Sequence, residues 1–574
     1  MTKDKKLLQI IVSFIFFLIV ISSFTVFLPK FSKSSNSFNS VEEKMHLKTS
    51  NDYDDIIIDD SSSSNWTWAK SQGYCTGSGT ENDPYLIEGH IFTAINTNIS
   101  LSISNSNKYF TINYCDFSRF LPNPSNATGL YLKNVSNGRV YYSIFRNLNR
   151  SIVLKNCNNF TIQAISSENS DIGIKLINSD DNILDSIQID DTKDGLVIEN
   201  CSYNLFNLIE GHRFSNTAIN LKDCNYNDFL DIRIEHCKVG LSLNKSDYNK
   251  IANSFIHWVN GSTLELITSV NNTIENTATS YNENGIKFLN SNNTHVVNFL
   301  STNSTFSGIN MTFCYNNIIE KSWFRYSYLH GISLLSSHYN KILENELDNN
   351  GVDGISLTVC SNNLINDNMI SFSQHGFDPQ ILSGSGIGLE NSDMNTISEN
   401  FIDVYSFGTG LTLENCFLNE ICDNKITVTS PFQYVVTSLV GISLNYGAFN
   451  NIIKNDISKF LTGIYLYGSD INLIAQNRIS HTSGGSHRYG VYLEYSDYNS
   501  IIDNIIFDTF GPLPGQCIKE VNCTHNIILD NQCSIQSDPT LIIFLGSIIP
   551  SLVLNAILLF FIIRKRRIKT NGGK

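Results

Sequence analysis

Across residues 129–531, apolar and polar positions alternate within a phrase that returns every 22 or 23 residues. The phrase reads Gly-apolar-x-apolar-x-Asn-(Ser/Cys)-x-x-Asn-x-Ile; two copies begin at Gly195 and Gly331 and reach Asn204 and Asn340. Aligning the copies gives 18 coil starts, the first at Ser100 and the last at Cys517. With each start counted as position 0, positions 1 and 3 carry Ile, Leu or Val, as in Ile174/Leu176 and Ile355/Leu357. Alternation with a period of two is the pattern of a strand with one buried face. A second short strand is expected near positions 11, 14 and 16, as in Leu184, Ile187 and Ile189. No helical period runs through these segments. Internal repetition at so short a period reads as a solenoid.

The turns carry their own signal. Position 9 is Asn in 14 of the 18 coils, among them Asn182, Asn204, Asn227, Asn249 and Asn526. Asn tolerates left-handed backbone and bonds nearby backbone groups, which suits a tight turn. Stacked coil on coil, the amides can also bond one another as a ladder. A second Asn column, at position 14, runs through the eight coils from Gly331 onward, from Asn345 to Asn531. The expected fold is all-β: a right-handed parallel β-helix of about 18 coils, with hydrophobic helices at both ends.

This repeat resembles the right-handed parallel β-helix proteins, and within them the NosD-like and "carbohydrate-binding and sugar hydrolase" (pectate-lyase-like) group. The stretch Gly77-Ser-Gly-Thr-Glu-Asn-Asp-Pro-Tyr-Leu-Ile-Glu88 looks like the segment that often precedes such repeats. The resemblance covers about residues 66–535. It implies a fold more than an activity, because that scaffold serves lyases, hydrolases, epimerases, adhesins and accessory proteins alike.

Outside the repeat, composition sets the boundaries. Residues 7–28 form an apolar run behind Lys3, Lys5 and Lys6, so residues 1–29 read as a signal peptide or signal anchor. Residues 30–65 are rich in Ser and Asn and read as a flexible spacer; residues 66–99 are assigned to an N-terminal cap and 100–536 to the β-helix. Residues 541–563 are apolar and long enough to span a bilayer, and the basic tail 564–574 follows. A basic flank stays cytoplasmic, which predicts a single C-terminal span with the β-helix displayed outside the cell. A net charge of −14 argues against a nucleic-acid partner.

Seven of the 13 cysteines (157, 201, 224, 314, 360, 416 and 523) fall at position 6, where most other coils carry Ser. That is a column of small side chains turned inward at a corner rather than a disulfide framework. Cys201 and Cys224 alone occupy successive coils of it, and a bond between them is left open. No His/Cys cluster with zinc spacing occurs. The 14 Asn-x-Ser/Thr sequons permit glycosylation of an exported chain, at about the frequency this composition yields by chance.

On a β-helix a site is assembled vertically, from one repeat position on successive coils. Position 17 follows the inward residue at 16 and should face solvent. It reads Glu168, Asp190, His212, Glu235 and His257, and these are the candidate catalytic residues. Position 18 adds Asp191, Arg213, His236, Trp258 and Tyr281, and position 15 adds Glu210 and Arg233. Stacked carboxylates can divide acid and base roles, hold Ca²⁺ through oxygen ligands, or, with the imidazoles, hold a transition metal. Trp258 and Tyr281 offer apolar faces to a sugar ring. The plain alternative is a solvated face whose charges satisfy each other across strands.

A second candidate surface holds Tyr465, Tyr467 and Tyr492 at outward positions, with long insertions at 371–385, 429–440, 481–489 and 508–516 expected to wall a groove beside them. The alternative there is the ordinary liking of tyrosine for outward strand positions. His375 and Asp378, in the longest insertion, match the Asp-Pro-His-Asp motif of the alginate epimerase β-helices only faintly, with the order changed and one carboxylate missing.

Three functions follow as expectations. The first is a membrane-anchored cell-surface β-helix acting as a polysaccharide-binding, adhesive or structural module, with a polysaccharide or cell-surface glycan as partner. The second is a lyase, hydrolase or epimerase acting on acidic glycans from the Glu168–His257 face. The third, implied by the NosD-like resemblance, is a metal-handling accessory protein using His212, His236 and His257.

Overall fold

The structure, a computed structural model, describes residues 52–535 apart from 54, 94–97, 119–126, 374–383, 406–407, 429–439, 481–488 and 509–515. Both apolar runs, and with them the expected terminal helices, lie outside the described residues, as do His375, Asp378 and most of the four insertions. The described chain is a right-handed parallel β-helix of about 17 turns, against the 18 coil starts counted in the sequence. It divides into two compact units, residues 1–328 and 329–574.

In the first unit, successive coils pair in parallel and in register: Ile152, Ile174, Leu196, Ile219, Leu241, Leu264 and Ile286 form one inward column. The ladder begins earlier than the repeat suggests. Ile56–Asp59, within the stretch read as a spacer, pairs with Leu101–Ser104, and Tyr85–Glu88 pairs with Phe110–Asn113. The periodic phrase is absent there, yet Ile56 and Ile58 are buried and Ile57 is exposed, which is the same two-residue alternation. A six-residue helix, Trp66–Ser71, capped by the Asn65 side chain, buries Trp66 against Tyr85 and Phe110.

In the second unit, each coil carries three strands rather than the two expected. Lys341–Leu343 and Glu346–Asp348, for instance, are separate where one strand was anticipated. The residue just ahead of the position-14 asparagine has positive φ, as Glu344 does before Asn345. The first unit keeps one long strand in some coils (Ile183–Asp190) and splits it in others (Asp228–Leu230, Arg233–Cys237).

Three internal ladders explain the repeat. At position 9 in the first unit, the backbone N–H and the amide Nδ2 of Asn182 both donate to Asn204 Oδ1, and the pattern continues through Asn227 and Asn249 to Asn272. The second unit repeats it from Asn340 to Asn526 and adds the position-14 ladder from Asn345 to Asn531. At position 6 the backbone N–H of one coil donates to the Ser Oγ or Cys Sγ of the next: Cys157 to Ser179, Ser179 to Cys201, Cys201 to Cys224 and Cys224 to Ser246. Ser or Cys is favoured there because a buried N–H without an acceptor is costly. Cys201 and Cys224 are free thiols in this ladder. The one disulfide among the described residues joins Cys517 and Cys533 in the last coil.

Candidate functional site

Position 17 of the first unit is a single outward column. Strand register runs Arg146, Glu168, Asp190, His212, Glu235, His257 and Ser280 on successive coils. The five candidate residues are therefore neighbours, as expected, and Arg146 extends the column by one coil. Their side chains range from half-exposed Glu168 to buried His257.

Apart from the adjacent carboxylates Glu168 and Asp190, contacts along the column pair a carboxylate with an arginine or histidine. Arg146 Nε lies 3.5 Å from Glu168 Oε2. Asp190 Oδ1 accepts the His212 backbone N–H (3.1 Å) and faces His212 Nδ1 at 3.3 Å, while Asp190 Oδ2 accepts from Gln188 (2.7 Å). Glu235 is the centre. His212 Nε2 lies 3.9 Å from its Oε2, and its Oε1 is 3.4 Å from His257 Nε2 and 3.3 Å from an Arg233 nitrogen. His257 is 7% exposed although its position faces outward, and its Nδ1 has no hydrogen-bond partner. Phe255 and Trp258 pack against its ring, with centroids at 4.5 and 4.4 Å. Burial lowers the proton affinity of His257; Glu235 opposes that shift, and Arg233, His236 and His212 add to it.

Position 18 forms the adjoining corner, every residue of it in the left-handed region from Asp191 to Tyr281. Arg213 grips Asp191 through two hydrogen bonds (2.6 and 2.7 Å), which holds the Asp191 carboxyl below its usual range. His236 stacks on Trp258 at 4.7 Å. Trp258 and Tyr281 are 44% and 56% exposed, and their rings lie 6.4 Å apart. This corner joins an ion-pair column to an aromatic edge.

The second candidate surface, in the other unit, is self-packed. Tyr465 and Tyr492 share a column and stack at 5.2 Å, and Tyr489 stacks on Tyr492 at 4.9 Å. Tyr465 donates to Glu494 Oε2 (3.0 Å); burial and that carboxylate raise its phenol's pKa. Tyr467 is flanked edge-on by Tyr446 and Tyr495. Tyr465, Tyr489 and Tyr492 spend faces on one another, while on the other surface Trp258 gives one face to His236 and Tyr281 is 56% exposed. The insertions expected to wall this surface lie outside the described residues.

Sequence reasoning assembled the column but missed the residues that hold it: Arg146, Gln188, Phe255 and the contact of Arg233 with Glu235. Arg146 and Gln188 sit one coil before and two residues before carboxylates already singled out, so the repeat alone could have found them.

One family matches along most of the repeat, in overlapping segments at 120–260, 256–380, 331–438, 385–510 and 432–541; its description is "Periplasmic copper-binding protein (NosD)". The chain belongs to this family. A comparison with curated proteins returns no match. Solved structures similar to this NosD-family chain include a mutant of the periplasmic alginate epimerase AlgG, at 13% identity, covering 64% of this chain and 77% of that one with a TM-score of 0.30. Others are an A-module of a mannuronan C-5 epimerase from Azotobacter vinelandii (10% identity, 68% and 99% covered, TM-score 0.29) and a DFA-IIIase from Arthrobacter chlorophenolicus in complex with DFA-III (11%, 53% and 88%, 0.30). Similarity at that level says nothing of this chain's substrate.

The NosD description names copper, and the described residues do not fit it. Among the described residues no group of three or more His, Cys, Asp or Glu side chains is placed to hold a metal ion, which also leaves the Ca²⁺ and His212/His236/His257 readings without a donor set. The position-6 thiols of Cys157, Cys314 and Cys360 are pushed up to about 11 by burial, and that of Cys416 to about 12. They donate to backbone carbonyls, as Cys157 does to Lys155 (3.3 Å), instead of standing ready as thiolates.

Proposed function

We propose that this NosD-family chain is a polysaccharide-binding β-helix, displayed outside the cell and held there by its C-terminal apolar run. The observation that carries the binding reading is the exposed Trp258–Tyr281 edge beside the in-register column ending at His257. Aromatic faces take the apolar face of a pyranose, and the adjoining carboxylates, imidazoles and guanidiniums meet its hydroxyls. The column favours holding over turnover, because Glu168 lies against Arg146, Asp190 is bonded by Gln188 and the His212 backbone, and Glu235 is shared by Arg233 and His257. Display outside the cell is supported by the basic stop after residues 541–563 and by a disulfide in the last coil, a bond that persists in oxidising compartments. Among the described residues no helix is long and apolar enough to cross a membrane, and the proposed span lies beyond them. The test is equilibrium binding of the purified chain to a panel of neutral and uronic polysaccharides. Failure to bind any of them sinks the reading.

A second reading, an enzyme on acidic glycans, draws on one feature: His257 is buried, carries a ring nitrogen without a partner and abuts Glu235, a setting suited to moving a proton. It requires new reducing ends or unsaturated uronates to appear on incubation, and their loss in Glu235→Gln with the fold retained.

A further inference from the structure

A different corner of the first unit carries an open hollow of about 540 Å³, lined by Asn105, Asn134 and Asn156 on one side and Asn107, Ser136 and Asn158 on the other. It lies on the turn after the first strand of three successive coils, away in the repeat from positions 17 and 18. Asn105, Asn134 and Asn156 share one turn position, each with φ between 52° and 55°. Their amides form a ladder on the surface: Asn134 Nδ2 donates to Asn105 Oδ1 (2.9 Å), Asn156 to Asn134 (2.9 Å), and Asn178 continues to Asn156 (3.2 Å). The internal ladders satisfy buried backbone. This one is exposed and bonds amide to amide from Asn105 to Asn178, with Asn105 at its end also donating to Asp59 Oδ1 (3.1 Å) and Ser61 Oγ (3.4 Å).

An amide carries two donor hydrogens and two acceptor lone pairs. Asn134 and Asn156 each spend one of each on the ladder, so each rung keeps one donor and one acceptor, fixed in direction by its neighbours. The rungs repeat at the coil spacing, roughly 4.8 Å, close to the length of one pyranose in an extended chain. Sugar hydroxyls are themselves paired donors and acceptors. No ionisable side chain lines the hollow, so nothing there selects for a uronate.

We infer that this Asn-lined hollow is a subsite for a neutral, hydroxyl-rich glycan chain lying along the coil stack, each sugar meeting one amide rung. The inference rests on the polysaccharide-binding reading and assigns it a second surface of opposite electrostatic character to the Glu235 face. Order in the ladder reduces the entropy lost on binding, which is what distinguishes it from scattered surface amides.

The experiment is calorimetric titration of the full chain, produced without N-glycosylation because Asn134 heads an Asn-Val-Ser sequon, with neutral and uronic hexasaccharides. The variant is Asn134→Gly/Asn156→Gly, since glycine accepts the left-handed backbone and removes the amides. Asn298→Gly, at another exposed left-handed turn outside both surfaces, serves as the control. The expected result is a neutral ligand whose affinity falls roughly tenfold in the double glycine variant and is unchanged in Asn298→Gly. A neutral ligand bound equally by the double variant overturns the inference and leaves the wider reading standing. Binding confined to uronic ligands does the same. Binding of neither class by the wild-type chain overturns both. Circular dichroism on the double variant separates lost recognition from lost fold, and Asn134→Asp/Asn156→Asp, which keeps the backbone and removes the donors, repeats the test should glycine loosen the turn.

Discussion

Positions 0 and 16 of one coil face each other inside the helix, and their sizes are complementary. A Cβ on Gly463 would sit 2.4 Å from Ile479 Cγ2 and 2.7 Å from the Gly490 carbonyl oxygen. Where position 16 is small, position 0 need not be glycine: Ser151 faces Ser167 and bonds it at 2.8 Å. Gly463→Ala should therefore cost about 1–3 kcal/mol through overpacking, and Ile479→Ala in the same chain should recover part of that loss; thermal unfolding of the single and double variants measures both. The same pair of positions explains Cys517 and Cys533, whose separation of 16 places them where other coils hold Gly and Ile. At His257 the expected effect is on pH. Its folded-state proton affinity is lowered from the ordinary 6.5 by burial. The unfolded chain thus takes up the proton first, so the stability this group contributes is present above about pH 6.5 and is lost as pH falls through the lower folded value. His257→Gln should flatten the acid side of a plot of melting temperature against pH.

At the scale of the element, the ladders hold coils together through side chains as well as strands. Asn455 donates from Nδ2 to the carbonyl of Ile421 (2.9 Å) and to Asn477 Oδ1 (3.0 Å), and its Oδ1 accepts from the backbone and amide of Asn424. Asn455→Ala orphans buried donors on both sides and should cost roughly 2–4 kcal/mol, measured by urea denaturation; an exposed rung such as Asn298, bonded to Asn276 alone, should cost far less. The sequence made these ladders legible because they recur at fixed spacing. It also made the position-6 column legible as buried and small, though not its role as acceptor for the preceding coil's N–H, which depends on the third dimension. The position-17 column was readable to the residue, since no insertion interrupts those coils and the register stays at 22 or 23 residues. What could not be read was partner choice within it. That His236 would stack on Trp258 depends on the left-handed turn at position 18. The first coil, at Ile56–Asp59, escaped notice because Ser64 stands at position 9 in place of Asn and Ser61 at position 6 is lost in a run of serines, leaving only alternation over four residues.

For the whole molecule, the two units end differently. The second closes on a coil bridged by Cys517 and Cys533. Closing a loop of that length contributes about 3 kcal/mol in the chain-entropy account. Reduction should loosen the strands Gln516–Val521 and Gln532–Ile535 in hydrogen exchange while leaving the Glu235 column protected. The family assignment fixes ancestry and fold without fixing chemistry: the donor sets for copper are missing among the described residues, whereas an aromatic edge beside an ion-pair column is present. The central claim is that this edge takes a glycan. The most direct test is titration of the chain and of Trp258→Ala/Tyr281→Ala with the tightest-binding polysaccharide of the panel. Loss of two stacking faces should weaken binding at the edge by at least tenfold in a double variant whose circular dichroism shows the fold retained. Equal affinity in the folded double variant would contradict the account.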